Sequence, residues 1–127
     1  MLASSIDSHR PQGVISVVQE TDEIVAVCLE GEFDIANART VGEEIDRTLE
    51  GGKNLIVDLS EATFIDSSVI AVLMRAAKAA HGREQAIVLQ HRTAAIVERV
   101  LEITRIEEVL PRAHDRHEAV RIIQENQ

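Results

Sequence analysis

The strongest constraint on the fold lies in residues 55–82. A short apolar run, Leu55, Ile56 and Val57, continues through Asp58-Leu59-Ser60 and a connection to Asp66-Ser67-Ser68. Beyond it Val69, Val72, Leu73, Ala76 and Ala80 recur at three- and four-residue spacing. The first run, following the Gly51-Gly52 breaker, has the length and residue type of a buried strand. The second has the period of a helix over residues 69–81 with one apolar face. Asp66 stands where a side-chain oxygen would accept the free N–H groups of the first turn, and Gly82 where a left-handed cap would end the helix. Ser67 therefore falls in a first helical turn beyond the carboxyl end of a strand. That is where open α/β sheets present sites to ligands and partners.

The remaining pattern surrounds this unit. Residues 1–12 show no period and read as a mobile tail, leaving 13–127 as one domain by size. Residues 14–19 and 24–29 read as two strands joined by the polar turn Glu20-Thr21-Asp22-Glu23, a spacing that suits an antiparallel hairpin. The second strand is apolar on both faces, which predicts a central position covered from both sides. Residues 30–34 read as an acidic loop and 36–49 as a helix presenting Ala38, Val41, Ile45 and Leu49. A buried strand at 86–90 and a helix at 93–101 with Ala94, Val97, Val100 and Leu101 inward come next. Residues 106–110 suit either a short strand or one helical turn before Pro111. A last helix at 115–125 presents Ala119, Val120, Ile122 and Ile123. The expected fold class is α/β: a mixed sheet with an N-terminal antiparallel hairpin followed by right-handed β-α-β crossovers, helices packed on the sheet.

Composition narrows the function. Of the residues, 45% are apolar but only Phe33 and Phe64 are aromatic, so the core must be built from Val, Ile, Leu and Ala. The net charge of -9 argues against binding nucleic acid, which needs clustered Lys and Arg. No apolar run reaches membrane-spanning length, and no signal-like segment opens the chain, so no membrane insertion is expected. The single cysteine, Cys28, cannot form an internal disulfide and reads as a small core residue, consistent with a cytoplasmic setting. Neither serine sits in a nucleophile elbow and no phosphate-cradling loop is present, so the chain reads as a binding module and not an enzyme. His114 and His117 are three residues apart but lack companion ligands. The histidines read as a solvated face, and no metal or cofactor is expected.

Gly31-Glu32-Phe33-Asp34 after a buried strand, then Ile56-Val57-Asp58-Leu59-Ser60 and Phe64-Ile65-Asp66-Ser67-Ser68 at a helix start, resemble the STAS domain. More narrowly they resemble stand-alone bacterial anti-sigma factor antagonists, over residues 14–125. The resemblance implies that Ser67, the first serine after the aspartate, is the phosphoacceptor. It implies that the unphosphorylated protein binds an anti-sigma factor, usually a serine kinase, and so frees a sigma factor. Phosphorylation then ends the complex and a serine phosphatase resets it. It also implies a docking surface of Glu32, Asp34, Asp66, Ser67, Ser68 and Val69, and leaves homodimer formation open. The family commonly has glycine where Val69 stands. Valine there would add bulk at the helix start, where a partner backbone would approach.

Val69 thus raises a second reading, an unphosphorylated STAS scaffold, either stressosome-like or transporter-associated. A third makes Asp58, taken as a strand-end residue, the phosphoacceptor of a receiver-like domain. The opening hairpin and the absence of an acidic pair after the first strand count against it. Simpler roles stand beside these: Ser67 and Ser68 as helix-start residues, and Asp34 as a cap for the next helix.

Overall fold

The computed structural model describes residues 13–92 and 94–126. The expected tail, 1–12, lies outside them. Five strands form one sheet in the order β1-β2-β3-β4-β5: β1 Val14–Gln19, β2 Ile24–Phe33, β3 Asn54–Ile65, β4 Ile87–Gln90 and β5 Arg112–Ala113. β1 runs antiparallel to β2, and all other neighbours are parallel. Among the described residues four helices accompany them: α1 Ala38–Glu50, α2 Ser67–Gly82, α3 Ala95–Thr104 and α4 Arg116–Glu125.

The alternation of each central strand decides which helix covers which face. Val27, Leu55, Val57 and Leu89 point to one side and pack with Val41 and Ile45 of α1, Val69 and Leu73 of α2, and Val97 and Leu101 of α3. Ile24, Ala26, Ile56 and Val88 point to the other and pack with Ala119 and Ile123 of α4. A chain nearly without aromatics thus closes its core with interleaved aliphatics in three layers. The expected doubly covered second strand and the mixed sheet are as found.

Several boundaries differ from expectation. β2 and β3 are longer than their apolar runs: the expected acidic loop 30–34 is strand as far as Phe33, and the expected connection 61–65 is strand throughout. Parallel pairing continues through polar residues because two register shifts, between Cys28 and Glu30 and between Gly31 and Glu32, absorb the misfit. Over that stretch β3 uses two more residues than β2. Gly31 has φ 94, a conformation that costs glycine little and other residues more.

Gly82 is the last residue of α2 and not a left-handed cap; Glu84 takes the positive φ, 57. Residues 106–108 form one 3-10 turn, Ile106–Glu108, and the last strand follows Pro111. Ala94 is exposed, and Val100, Val120 and Ile122 are only partly covered. His91 is fully buried, against the expectation of a solvated face, with Nδ1 2.8 Å from Glu98 Oε2.

Asp58 also differs. It lies within β3, in register between Cys28 on β2 and Gln90 on β4, and faces α4. Arg116, the first residue of α4, reaches over this row. It donates to Asp58 Oδ2 (2.6 Å), Gln90 Oε1 (2.8 Å), Glu20 Oε2 (2.7 Å) and Cys28 Sγ (3.2 Å). Ser60 donates to Asp58 Oδ1 through both N–H and hydroxyl. Burial works against the Arg116 charge, yet the bonds to Asp58 and Glu20 and the neighbouring Cys28 raise its pKa. Burial likewise raises the Cys28 thiol, with Arg116 pulling the other way. Asp58 is a carboxylate locked to the helix above it, which leaves it no role as an open phosphoacceptor.

Candidate functional site

The site is assembled where β2 and β3 end side by side. Their register pairs Glu32 with Phe64 and Phe33 with Ile65, so the residues that follow, Asp34 and Asp66, leave the same end of neighbouring strands. Two pairs earlier Glu30 stands opposite Glu61, and both are exposed. Neither forms an ion pair among the described residues. Glu30 and Glu61 thus add two exposed carboxylates just before the rim.

Asp66 opens α2 from an extended backbone, φ -123 and ψ -174. Its Oδ1 accepts the Ser68 N–H at 2.9 Å and also the Ser68 hydroxyl, while its carbonyl accepts the N–H groups of Val69 and Ile70. This is an aspartate N-cap with the second serine folded back onto it. The two serines are thereby separated in role. Ser68 is half-buried and occupied; Ser67 is exposed, and its hydroxyl forms no hydrogen bond among the described residues. Ser67 Oγ also stands at the start of a 16-residue helix, whose free N–H groups and dipole favour negative charge.

Asp34 lies in the connection to α1. Its Oδ1 accepts the Ala36 N–H at 2.8 Å, an Asx turn, and its carbonyl accepts from Asn37 and Ala38. Asn37 occupies the N-cap position of α1 but does not cap with its side chain. Instead its Oδ1 accepts the Asp34 N–H at 2.8 Å and its Nδ2 donates to the Glu32 carbonyl at 3.0 Å. Sequence reading did not single out Asn37. Its only signal was an Asx residue just before a helical period.

Glu32, Asp34, Asp66, Ser67 and Ser68 thus share one rim, each at least partly accessible. Val69 does not belong with them. It is 0% exposed and packs in the core beneath α2, so its bulk points away from any visitor. The reason is helical: Val69 begins the apolar stripe continued by Val72, Leu73 and Ala76. A residue that the sequence did not mark, Ile35, stands 80% exposed beside the rim. It borders a groove of about 490 Å³ between α1 and α2 that Ser68, Ala71 and Val72 also line.

Among the described residues no three His, Cys, Asp or Glu side chains gather as a metal site, and no helix is long and apolar enough to cross a membrane. His114 is tied to Glu118, whose carboxyl is drawn below its ordinary range by the His114 backbone N–H and side chain.

Comparison with known proteins bears on the family and the fold. The family described as "Mlab, STAS domain" matches residues 16–111. No curated protein matches the chain. The solved structure of an anti-sigma factor antagonist from Mycobacterium paratuberculosis is similar with a TM-score of 0.80 at 19% identity, over 89% of this chain and 95% of that one. The anti-sigma factor antagonist SpoIIAA in its unphosphorylated form gives 0.75 at 18% identity, over 88% and 97%. The Bacillus cell fate determinant SpoIIAA in the phosphorylated form gives 0.67 at 16%, over 86% and 99%. At such identities the likeness to these structures is one of fold. With three quarters of its length matched by the family, the chain belongs to the STAS domain family.

Proposed function

We propose that this protein is an anti-sigma factor antagonist that works as a phosphorylation-controlled partner switch. Unphosphorylated, it binds an anti-sigma factor with serine-kinase activity through the rim of Glu32, Asp34, Asp66, Ser67 and Ser68, with Ile35 as an apolar anchor, and a sigma factor is released. The kinase transfers the terminal phosphoryl group of ATP to Ser67 Oγ, ADP leaves, and the complex separates. A serine phosphatase reverses the modification. The protein contributes binding and a phosphoacceptor, and the catalysis belongs to its partners.

The observation that carries this reading is the unequal state of the two serines: Ser68 is committed to Asp66, and Ser67 offers an exposed, unbonded hydroxyl. SpoIIAA, similar in fold, has been solved both unphosphorylated and phosphorylated. Charge supports a switch as well. A phosphate adds roughly −1.5 to −2 charges at pH 7. The helix start tolerates them locally, but at the rim they join Asp66, Asp34, Glu30 and Glu61 and change what a docked surface meets. The scaffold alternative rested on the bulk of Val69 at the docking surface, and a buried Val69 removes that support.

The test is a binding comparison with the anti-sigma factor from the same organism, together with site mapping by mass after kinase treatment. Ser67→Ala should bind like the natural chain and accept no phosphate. Ser67→Asp should bind about 100-fold more weakly, equivalent to ~3 kcal/mol. Equal affinity of the two variants, or phosphate mapped only to another residue, would end the switch reading.

A further inference from the structure

We propose that β1 is a self-association edge, at which two copies of this chain join their sheets antiparallel about a two-fold axis through Ser16. The two edges of the sheet are built differently. β5 has two residues, follows Pro111 and carries the Arg112 cation. Shortness, proline and charge are the means by which sheet edges avoid pairing. β1 has six residues, Val-Ile-Ser-Val-Val-Gln, with no charge, proline or glycine. It pairs with β2 on one side along its whole length, and among the described residues no strand lies beyond it. Val14, Val17 and Val18 are 55%, 51% and 40% exposed.

Charge and symmetry favour a second copy as the occupant. With a net charge of -9, two copies repel one another over much of their surface, and β1 is an uncharged stretch where they meet without that cost. The nearest acid in sequence, Glu20, is held by Arg116 at 2.7 Å and turned towards α4. A two-fold contact needs a self-complementary strand. Directly opposite residues of an antiparallel pair share a face of the pleat. An axis through Ser16 therefore sets Val14 against Val18 and Ile15 against Val17 of the second copy, with Ser16 facing Ser16. These are β-branched cross-strand pairs, which stabilise sheets. The ladder spans only ~20 Å, so the dimer is small and concentration-dependent.

Sedimentation equilibrium of the full chain should show the mass rising from one chain towards two with concentration. Val17→Lys, at an exposed position, should keep the circular dichroism and thermal midpoint while holding the mass at one chain. Ser16→Cys in a Cys28→Ser chain should give a disulfide-linked dimer under mild oxidation, because opposed Cα atoms in such a ladder lie ~4.5–5.5 Å apart, within disulfide reach. A chain that stays single at every concentration and forms no cross-link overturns the proposal, as does a dimer unmoved by Val17→Lys. A dimer that appears only after residues 1–12 are removed overturns it too, by assigning the edge to the chain's own N-terminal segment.

Discussion

β3 passes through two acidic settings that chemistry alone would not distinguish. At Asp58 the carboxylate lies under α4, with Arg116 on one oxygen and Ser60 on the other. At its far end the strand delivers Asp66 beside Asp34, just past the exposed pair Glu30 and Glu61, and the Arg116 clamp does not reach them. The first setting is closed in charge and in hydrogen bonds, so it belongs to the fold. The second leaves exposed carboxylates at Glu30 and Glu61 and the Ser67 hydroxyl facing outward, the arrangement on which the proposed partner contact rests. The difference lies in what sits across from the carboxylate, not in the carboxylate itself.

Substitutions can test this contrast, beginning with the one expected to be largest. Arg116→Ala strands the Asp58 carboxylate under α4 and should lower unfolding stability by ~3 kcal/mol in denaturant titration. Adding Asp58→Asn should return part of that loss; full additivity would mean that the two side chains are not one closed unit. The rim should behave oppositely. Ser67→Asp, with its roughly hundredfold loss of partner affinity, should leave the unfolding midpoint nearly unchanged. Val69 looks like a rim residue in the sequence but should act as a core one: Val69→Ala should cost ~2 kcal/mol of stability and leave partner affinity per folded molecule intact. Smallest of all, Ser68→Ala should cost about 1 kcal/mol through the loosened Asp66 cap, with phosphate still entering at residue 67. Phosphorylation that disappears with Ser68→Ala would blur the separation of the two serines.

The fold was legible where a period could be read. The apolar stripes of α1 and α2, the hairpin and the central strands follow from spacing in the chain, and so does Asp66 as the cap. The ends of β2 and β3 were hidden because Glu30-Gly31-Glu32 and Glu61 look like loop, while bulged pairing with a parallel neighbour carries them as strand. Tertiary context overrode local composition there. Asp58 misled for a related reason: its partner lies far along the chain in Arg116, and no spacing rule joins them. At the rim, motif position singled out Ser67, whereas Val69, next to the motif in sequence, is turned inward by the helical phase that places it on the apolar stripe. Ile35 carried no pattern at all, and Asn37 only that of an Asx residue just before a helical period.

The two bulges between Asp58 and the rim have a mechanical consequence. Parallel strands in strict register transmit a displacement rung by rung, whereas a ladder with two interruptions and two spare residues in one rail has slack at those points. The outer third of β3 can yield to an added group or a bound neighbour while the rungs around Asp58 keep their spacing. The sheet in effect contains its own shock absorber: a phosphate added at Ser67, as proposed above, would be accommodated at the bulges without moving the rungs around Asp58.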